Sequence, residues 1–149
     1  MSRIFDMLDE MSFREKSAWI SFLSLLVVFT PFFYYSYLTL TDRMGRREGT
    51  TTAFTLLAVF VVLELVLHAV IAIRAPKEAR SPRDERERLI EMRATRLAFP
   101  VLVLGALLSA AVIHATRSAW IMQQAILFAI VLAELVKFGT EIVLFRRGA

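Results

Sequence analysis

Five ionisable residues lie inside stretches of the chain that are otherwise apolar. Glu64 and His68 interrupt one stretch, and Glu134, Lys137 and Glu141 interrupt another. The spacing within each set, four residues in the first and three and four in the second, places its members on one face of a helix. Ionisable groups are costly in hydrocarbon, so inside membrane helices they mark functional sites. Carboxylates and imidazole can bind protons or cations, which is the chemistry that this pattern predicts.

The depths of these residues predict how the two sets meet. Counted back from the arginines that follow each stretch, Glu64 and Lys137 are 10 and 9 residues away, about 14 to 15 Å along a helix. His68 and Glu141 are 6 and 5 residues from the same arginines, about 8 to 9 Å along a helix. We therefore expect a polar ladder between the second and fourth apolar segments, with Glu64 facing Lys137.

The charges of this ladder do not balance. Three carboxylates accompany one lysine and one histidine, so either a carboxyl group is protonated at neutral pH or a cation completes the site. The surplus predicts proton- or cation-linked transport with Glu64 as the principal site, His68 tuning it and Lys137 as counter-ion. Glu134 and Glu141 would extend the path toward the cytoplasm. The alternative is that the ladder only holds the helices together.

The sequence contains no motif for a known reaction. It has no Gly-rich phosphate loop, nucleophile elbow or paired-histidine zinc motif. The lack of cysteine excludes disulfides, thiolate metal sites and thiol nucleophiles. A divalent cation could bind the carboxylates and imidazole, but no third histidine converges on them. We therefore predict no catalytic residue, no enzyme activity and no cofactor beyond such a cation.

Four long apolar segments must position these residues. They cover about residues 17–41, 50–73, 97–116 and 118–145 of a 149-residue chain that is 57% hydrophobic. A helix of about 20 apolar residues crosses the roughly 30 Å of hydrocarbon in a bilayer. The prediction is an all-α membrane protein, a single domain of residues 1–149 that forms a four-transmembrane-helix bundle. Its partners would be the lipid bilayer and further copies of itself, because four spans enclose little room for a pathway.

Lysines and arginines are distributed unequally between the two sides of these spans. The amino-terminal segment, the middle loop and the carboxyl-terminal tail carry 3, 8 and 2 of the 18, whereas the loops on the other side carry 4. The positive-inside rule therefore places both termini and the middle loop in the cytoplasm. The net charge of +4 follows from this topology and favours contact with anionic lipid over direct nucleic-acid binding.

The segment before the first span has a pattern of its own. Residues 1–11 place apolar side chains at helical spacing among acidic ones, which predicts an amphipathic helix at the membrane surface. A frayed tail is the alternative. Ser12 and Glu15 then have the spacing of a capping box ahead of the first span.

The middle loop contains a second predicted helix, residues 81–96, with Ser81 as its cap and no breaker before the third span. Its mixed charges suit either a solvated face or a docking surface for a cytoplasmic protein. The residues of that docking surface would be Arg83, Asp84, Glu85, Arg86, Arg88 and Arg93. A non-catalytic membrane regulator or scaffold that binds a partner here is the alternative function to transport.

The chain also has a weak internal repeat. Displaced by 70 residues, Glu64-Leu-Val falls on Glu134-Leu-Val, and the basic residue Arg74 lies near Arg146. Such a repeat predicts two helix pairs in the same orientation. Three identical residues in apolar sequence also arise by coincidence.

Several short motifs carry a resemblance to a known family: Phe13-Arg-Glu-Lys-Ser-Ala-Trp19, Pro76-Lys-Glu with Asp84-Glu-Arg-Glu, Ala119-Trp-Ile, and Phe145-Arg-Arg-Gly148. With these residues the chain resembles an uncharacterised family of small bacterial four-span inner-membrane proteins, from about Phe13 to Gly148. The resemblance implies that topology and a bacterial inner membrane, but no activity and no catalytic residues. Members are sometimes encoded beside small helix-turn-helix regulators, which leaves a signalling or anti-repressor role open.

Overall fold

The part of the chain that the computed structural model describes, residues 11–41, 45–74, 76 and 84–147, is helical and contains no strand. It forms four helices: α1 (Phe13–Leu40), α2 (Arg46–Arg74), α3 (Glu85–Thr116) and α4 (Ala119–Arg147). The predicted all-α architecture is confirmed. The predicted surface helix over residues 1–11 lies, apart from Met11, outside the described residues.

Three of these helices are long and apolar enough to cross a membrane: α1, α2 and α3. Their 28 to 32 residues correspond to about 42 to 48 Å, more than the roughly 30 Å of hydrocarbon in a bilayer. Their outward faces carry large apolar side chains, such as Leu65 of α2, which is 67% exposed within the chain. Lipid is the solvent that such faces require.

The helix starts follow from local capping. The Ser12 hydroxyl accepts a hydrogen bond from the Glu15 amide at 3.2 Å, as the sequence predicts. α3 begins at Glu85, later than the predicted start at residue 81, and its cap is Asp84. The Asp84 carboxylate accepts from the Glu85 amide at 2.7 Å while Glu87 accepts from the Asp84 amide at 3.4 Å, a reciprocal capping box. Ser81 itself lies outside the described residues.

From this cap α3 runs without a break to Thr116, which confirms the predicted continuity of the middle-loop helix with the third span. It ends at Arg117, whose φ of 51° lies in the left-handed region. The Arg117 amide donates to the Ile113 carbonyl at 2.8 Å, and α4 begins two residues further on. α3 and α4 are therefore a tightly connected antiparallel pair.

The four helices pack in the lateral order α2, α1, α4, α3. A buried cluster, Leu25, Phe29, Phe32 and Val131, lies where α1 meets α4, and Phe60 of α2 packs its ring edge-on against Phe29 at 5.1 Å. α3 packs chiefly on α4. α1 is therefore the central helix, and α2 is a peripheral helix held by α1.

Ion pairs define one end of the bundle, which we call the basal end. Arg14 of α1 approaches Glu87 of α3 at 3.8 Å, and Glu15 of α1 approaches Arg146 of α4 at 3.6 Å. α1 and α3 thus begin, and α4 ends, at the same end of the molecule. α2 also ends here, because His68 contacts Ser17 near the start of α1.

The tightest contact between α3 and α4 is made at Gly105. A Cβ atom added to Gly105 would lie 2.5 Å from the Cβ of Ala129. Small residues at such points let helix backbones approach closely, which is how helices gain packing energy in lipid. Gly139 of α4 differs, since an added Cβ would lie 3.4 Å from the Phe22 ring, an ordinary contact.

We expect Gly105→Ala to lower the free energy of unfolding by about 1 to 3 kcal/mol, because the added methyl group forces α3 and α4 apart. The matched control, Gly139→Ala, should be neutral or should raise it by up to about 1 kcal/mol, because alanine favours helix. Unfolding in mixed detergent micelles measures both. Equal destabilisation by the two variants would contradict the close packing at Gly105.

Candidate functional site

The candidate site begins with a polar seam between α1 and α2, which we call the α1–α2 seam. It consists of Ser17, Ser21 and Ser24 on α1 and of Glu64 and His68 on α2. The serines are spaced at four and three residues, so a helix presents all three on one face. Their small side chains let the Glu64 carboxylate approach α1.

Glu64 is held by hydroxyl groups on both of its carboxylate oxygens. The Ser21 hydroxyl donates to Oε2 at 3.4 Å, and the Ser24 hydroxyl donates to Oε1. The Glu64 side chain is 19% exposed. Ser24 has a second acceptor, the Ile20 carbonyl at 2.8 Å, to which its proton can turn. A protonated Glu64 can therefore donate to the Ser24 oxygen, so both the charged and the neutral carboxyl group find hydrogen-bond partners.

His68 links this carboxylate to the rest of α1. Its Nδ1 lies 2.9 Å from the Glu64 Oε2 and 3.0 Å from the Glu64 backbone carbonyl oxygen. A carbonyl oxygen can only accept, so Nδ1 carries a proton. The other ring nitrogen, Nε2, lies 3.0 Å from the Ser17 hydroxyl. The two nitrogens of one imidazole therefore connect Glu64 with Ser17.

A second polar region, which we call the basal groove, lies on the other side of Ser17. It is a cavity of about 170 Å³ where α1, α3 and α4 meet, with room for about five water molecules. Its charged and polar lining consists of Arg14, Ser17, Glu87, Glu91, Lys137 and Glu141. Ser17 belongs to both the seam and the groove, so the two regions are contiguous.

The structure corrects the predicted polar ladder. Glu64 and His68 lie together as predicted, but Glu64 faces the serines of α1, and not Lys137. Lys137 lies 3.9 Å from Glu134 and 5.1 Å from the centre of the Phe138 ring. The ladder fails because α2 packs chiefly on α1 and makes no extensive contact with α4. Depth along a helix places two residues at one level but does not say which helices are neighbours.

The serines are the site residues that the sequence analysis missed. Their signal was present, because Ser17, Ser21 and Ser24 stand at helical spacing inside an uncharged apolar span. Hydroxyl groups at such positions commonly join membrane helices by hydrogen bonds. They supply a carboxylate with donors and need no lysine.

The metal and partner sites predicted from the sequence are placed as follows. Among the residues that the structure describes, no group of three or more His, Asp or Glu could hold a metal ion. Asp84 serves as a helix cap, and the Arg86 guanidinium donates to the Phe145 carbonyl at 3.4 Å. Glu85 and Arg88 line an open face of α3, and Arg93 is exposed. Arg83 lies outside the described residues.

Comparison of the chain with protein-family models, with curated proteins and with solved structures found no match. The resemblance to bacterial four-span proteins therefore stays a prediction. The α1–α2 seam and the basal groove are therefore the features that bear on its function.

Double-mutant cycles test the neighbours of Glu64. We expect Glu64→Leu and Ser24→Ala to be coupled by about 0.6 kcal/mol, and by no more than about 1.7, as for other hydrogen bonds in membranes. Glu64→Leu and Lys137→Met should be additive within about 0.5 kcal/mol. The measurement is unfolding in detergent of each single and double variant. Coupling of Glu64 to Lys137 without coupling to Ser24 would support the predicted ladder and contradict the α1–α2 seam.

Proposed function

We propose that this is a small proton-linked integral membrane protein, in which Glu64 exchanges protons with one side of the membrane through His68 and Ser17. The observation that carries the proposal is the position of Ser17, whose hydroxyl bonds to His68 and also lines the basal groove. The chain of contacts therefore leads from a half-buried carboxylate to a polar cavity at the basal end that is large enough for several water molecules. Transport driven by protons is the use of such a path that fits a chain of this size.

The chemistry of the relay follows from the imidazole. A proton that arrives from the groove through Ser17 adds to Nε2 of His68, and the proton on Nδ1 then passes to the Glu64 carboxylate. Glu64 is satisfied in either state, because Ser24 can accept from it or donate to it. Lys137 and Glu141 lie in the groove and set the charge at its entrance. We therefore propose these two residues as charges of the groove, in place of their roles as counter-ion and path residue in the predicted ladder.

The proposed setting is a bacterial inner membrane, with the basal end and both termini in the cytoplasm. In support, the ends of the described chain meet at the basal end, where Glu15 approaches Arg146, and most of the lysines and arginines among the described residues lie toward that end. α4, with 29 residues, is long enough to cross as the fourth span. Self-association is part of the proposal, since no other helix of the described residues covers the outer face of α2.

We expect the infrared spectrum of the reconstituted protein at acidic pH to contain the C=O band of a poorly hydrated carboxyl group, apart from the band of the exposed carboxyl groups, and this band should be absent in Glu64→Gln. The matched control Glu48→Gln changes an exposed carboxylate at the start of the same helix and should leave the band of the poorly hydrated group unchanged. Ser17→Val should keep the size of the band but slow its appearance after a pH jump, because it removes the hydroxyl next to His68. A band that survives in Glu64→Gln refutes this proton site.

Transport itself is tested in proteoliposomes that contain a pH-sensitive dye. Net transport requires that Glu64 also exchange protons with the opposite side during the transport cycle. A potassium diffusion potential should then drive proton uptake through the wild-type protein, and both Glu64→Gln and His68→Gln should reduce it to the rate of empty vesicles. His114→Gln is the control for His68, since His114 is exposed at the opposite end of the bundle. Uptake equal to wild type in Glu64→Gln would overturn the proposal.

A second function, regulation through a cytoplasmic partner, is favoured by the first turns of α3. An open groove with a volume of about 900 Å³ follows one face of this helix. It exposes Leu89 and Met92 among the charges of Glu85, Arg88 and Arg96. Apolar side chains framed by charges suit a protein partner more than lipid or water.

Complementation separates the two functions in a strain that lacks the protein. If the phenotype of the strain is rescued by Glu64→Gln but not by Arg88→Glu with Leu89→Glu, the surface of α3 carries the function. The opposite result assigns it to the proton relay. The surface variant should leave proton uptake in vesicles unchanged, because none of its residues touches the seam.

A further inference from the structure

A lateral cleft lies toward the end of the bundle opposite the basal groove. It has a volume of about 440 Å³ and is enclosed by α1, α3 and α4. It follows α4 from Ile121 to Leu132 and α3 from Val101 to Val112, which is about 16 Å along each helix. Its lining carries no charged side chain. The cleft is therefore long, apolar and open toward the side of the bundle that faces lipid.

One polar pair interrupts this lining. The Ser36 hydroxyl donates to the Gln124 side-chain oxygen at 3.0 Å. The Gln124 amide nitrogen carries two N–H donors that this bond does not use, and Gln124 is only partly buried, so the nitrogen is accessible to an occupant of the cleft. Donors without an acceptor cost free energy in hydrocarbon. The cleft therefore calls for an apolar occupant that brings one hydrogen-bond acceptor.

The depth of the Ser36 and Gln124 pair in the membrane indicates which chemical group can accept this hydrogen bond. α1 is about 42 Å long and exceeds the hydrocarbon core by about 12 Å, or about 6 Å at each end. Ser36 lies four residues, about 6 Å, from the last residue of α1. The Ser36 and Gln124 pair thus lies at the boundary between hydrocarbon and headgroups. The ester carbonyl groups of glycerophospholipids lie at this boundary.

We propose that the lateral cleft binds one acyl chain of a glycerophospholipid, whose ester carbonyl accepts a hydrogen bond from the Gln124 amide. The acyl chain lies along α4 in the groove between α1 and α3 and ends near Leu132. A second copy of the protein does not fit, because a helix about 10 Å wide cannot enter a cleft that three helices already enclose. A charged ligand does not fit either, since the lining offers no charge.

The test is native mass spectrometry of the delipidated protein with phosphatidylglycerol added back. We expect one lipid to stay bound to the wild type and at least a tenfold loss of its affinity in Ala125→Phe, which fills the cleft. Ala111→Phe adds the same ring to an exposed position of α3 outside the cleft and should retain the lipid. Equal lipid binding by the two variants, or equal loss, overturns the proposal.

A second comparison tests the carbonyl contact without a change in the fold. The wild type should bind the diester lipid several-fold more tightly than its diether analogue, which lacks the carbonyl groups. Gln124→Leu should abolish that preference. Equal affinity of the wild type for the two lipids refutes the hydrogen bond to Gln124. Glu64→Gln should bind lipid as the wild type does, because the cleft and the proton relay are separate sites.

Discussion

The hydrogen bonds that the serines of α1 donate to Glu64 are the interaction on which the rest of the site depends. Lipid offers neither water nor ions to a carboxylate, so α2 can enter the membrane only where another helix supplies donors. Ser21 and Ser24 supply them. Once Glu64 is held, its backbone carbonyl and carboxylate orient the His68 ring, and the ring reaches Ser17. The register of α2 on α1 and the route to the basal groove thus have one origin.

α1 borders three regions of the bundle. Its serines form one side of the α1–α2 seam, Arg14 and Ser17 line the basal groove, and Ser36 near its other end borders the lateral cleft. A small shift or rotation of this helix would therefore change the proposed proton path and the proposed lipid contact together. The core cluster of Leu25, Phe29 and Phe32 lies between them and resists such motion. Any coupling between protons and lipid would have to move these rings.

The sequence was sufficient to predict the helices but not their neighbours. Apolar length predicted an all-α architecture, and local chemistry predicted the Ser12 cap. Asp84 was missed as a cap because Ser81 also fits the pattern, and only the reciprocal bond with Glu87 distinguishes them. The pairing of Glu64 with Lys137 failed because lateral order depends on packing between distant helices. The same limit hid the lateral cleft, since Ser36 and Gln124 are 88 residues apart.

The two-residue connection at Arg117 has a consequence for how the chain is made. Alone, α4 would enter the bilayer against the cost of Glu134, Lys137 and Glu141, which is about 3 kcal/mol for a charged residue near the centre. In the proposed topology, a connection this short would make α3 and α4 insert as one hairpin. The favourable transfer of the apolar side chains of α3 into lipid would then offset part of the cost of transferring the polar residues of α4. With a longer loop at Arg117 the two helices would insert separately, and α4 would insert less efficiently.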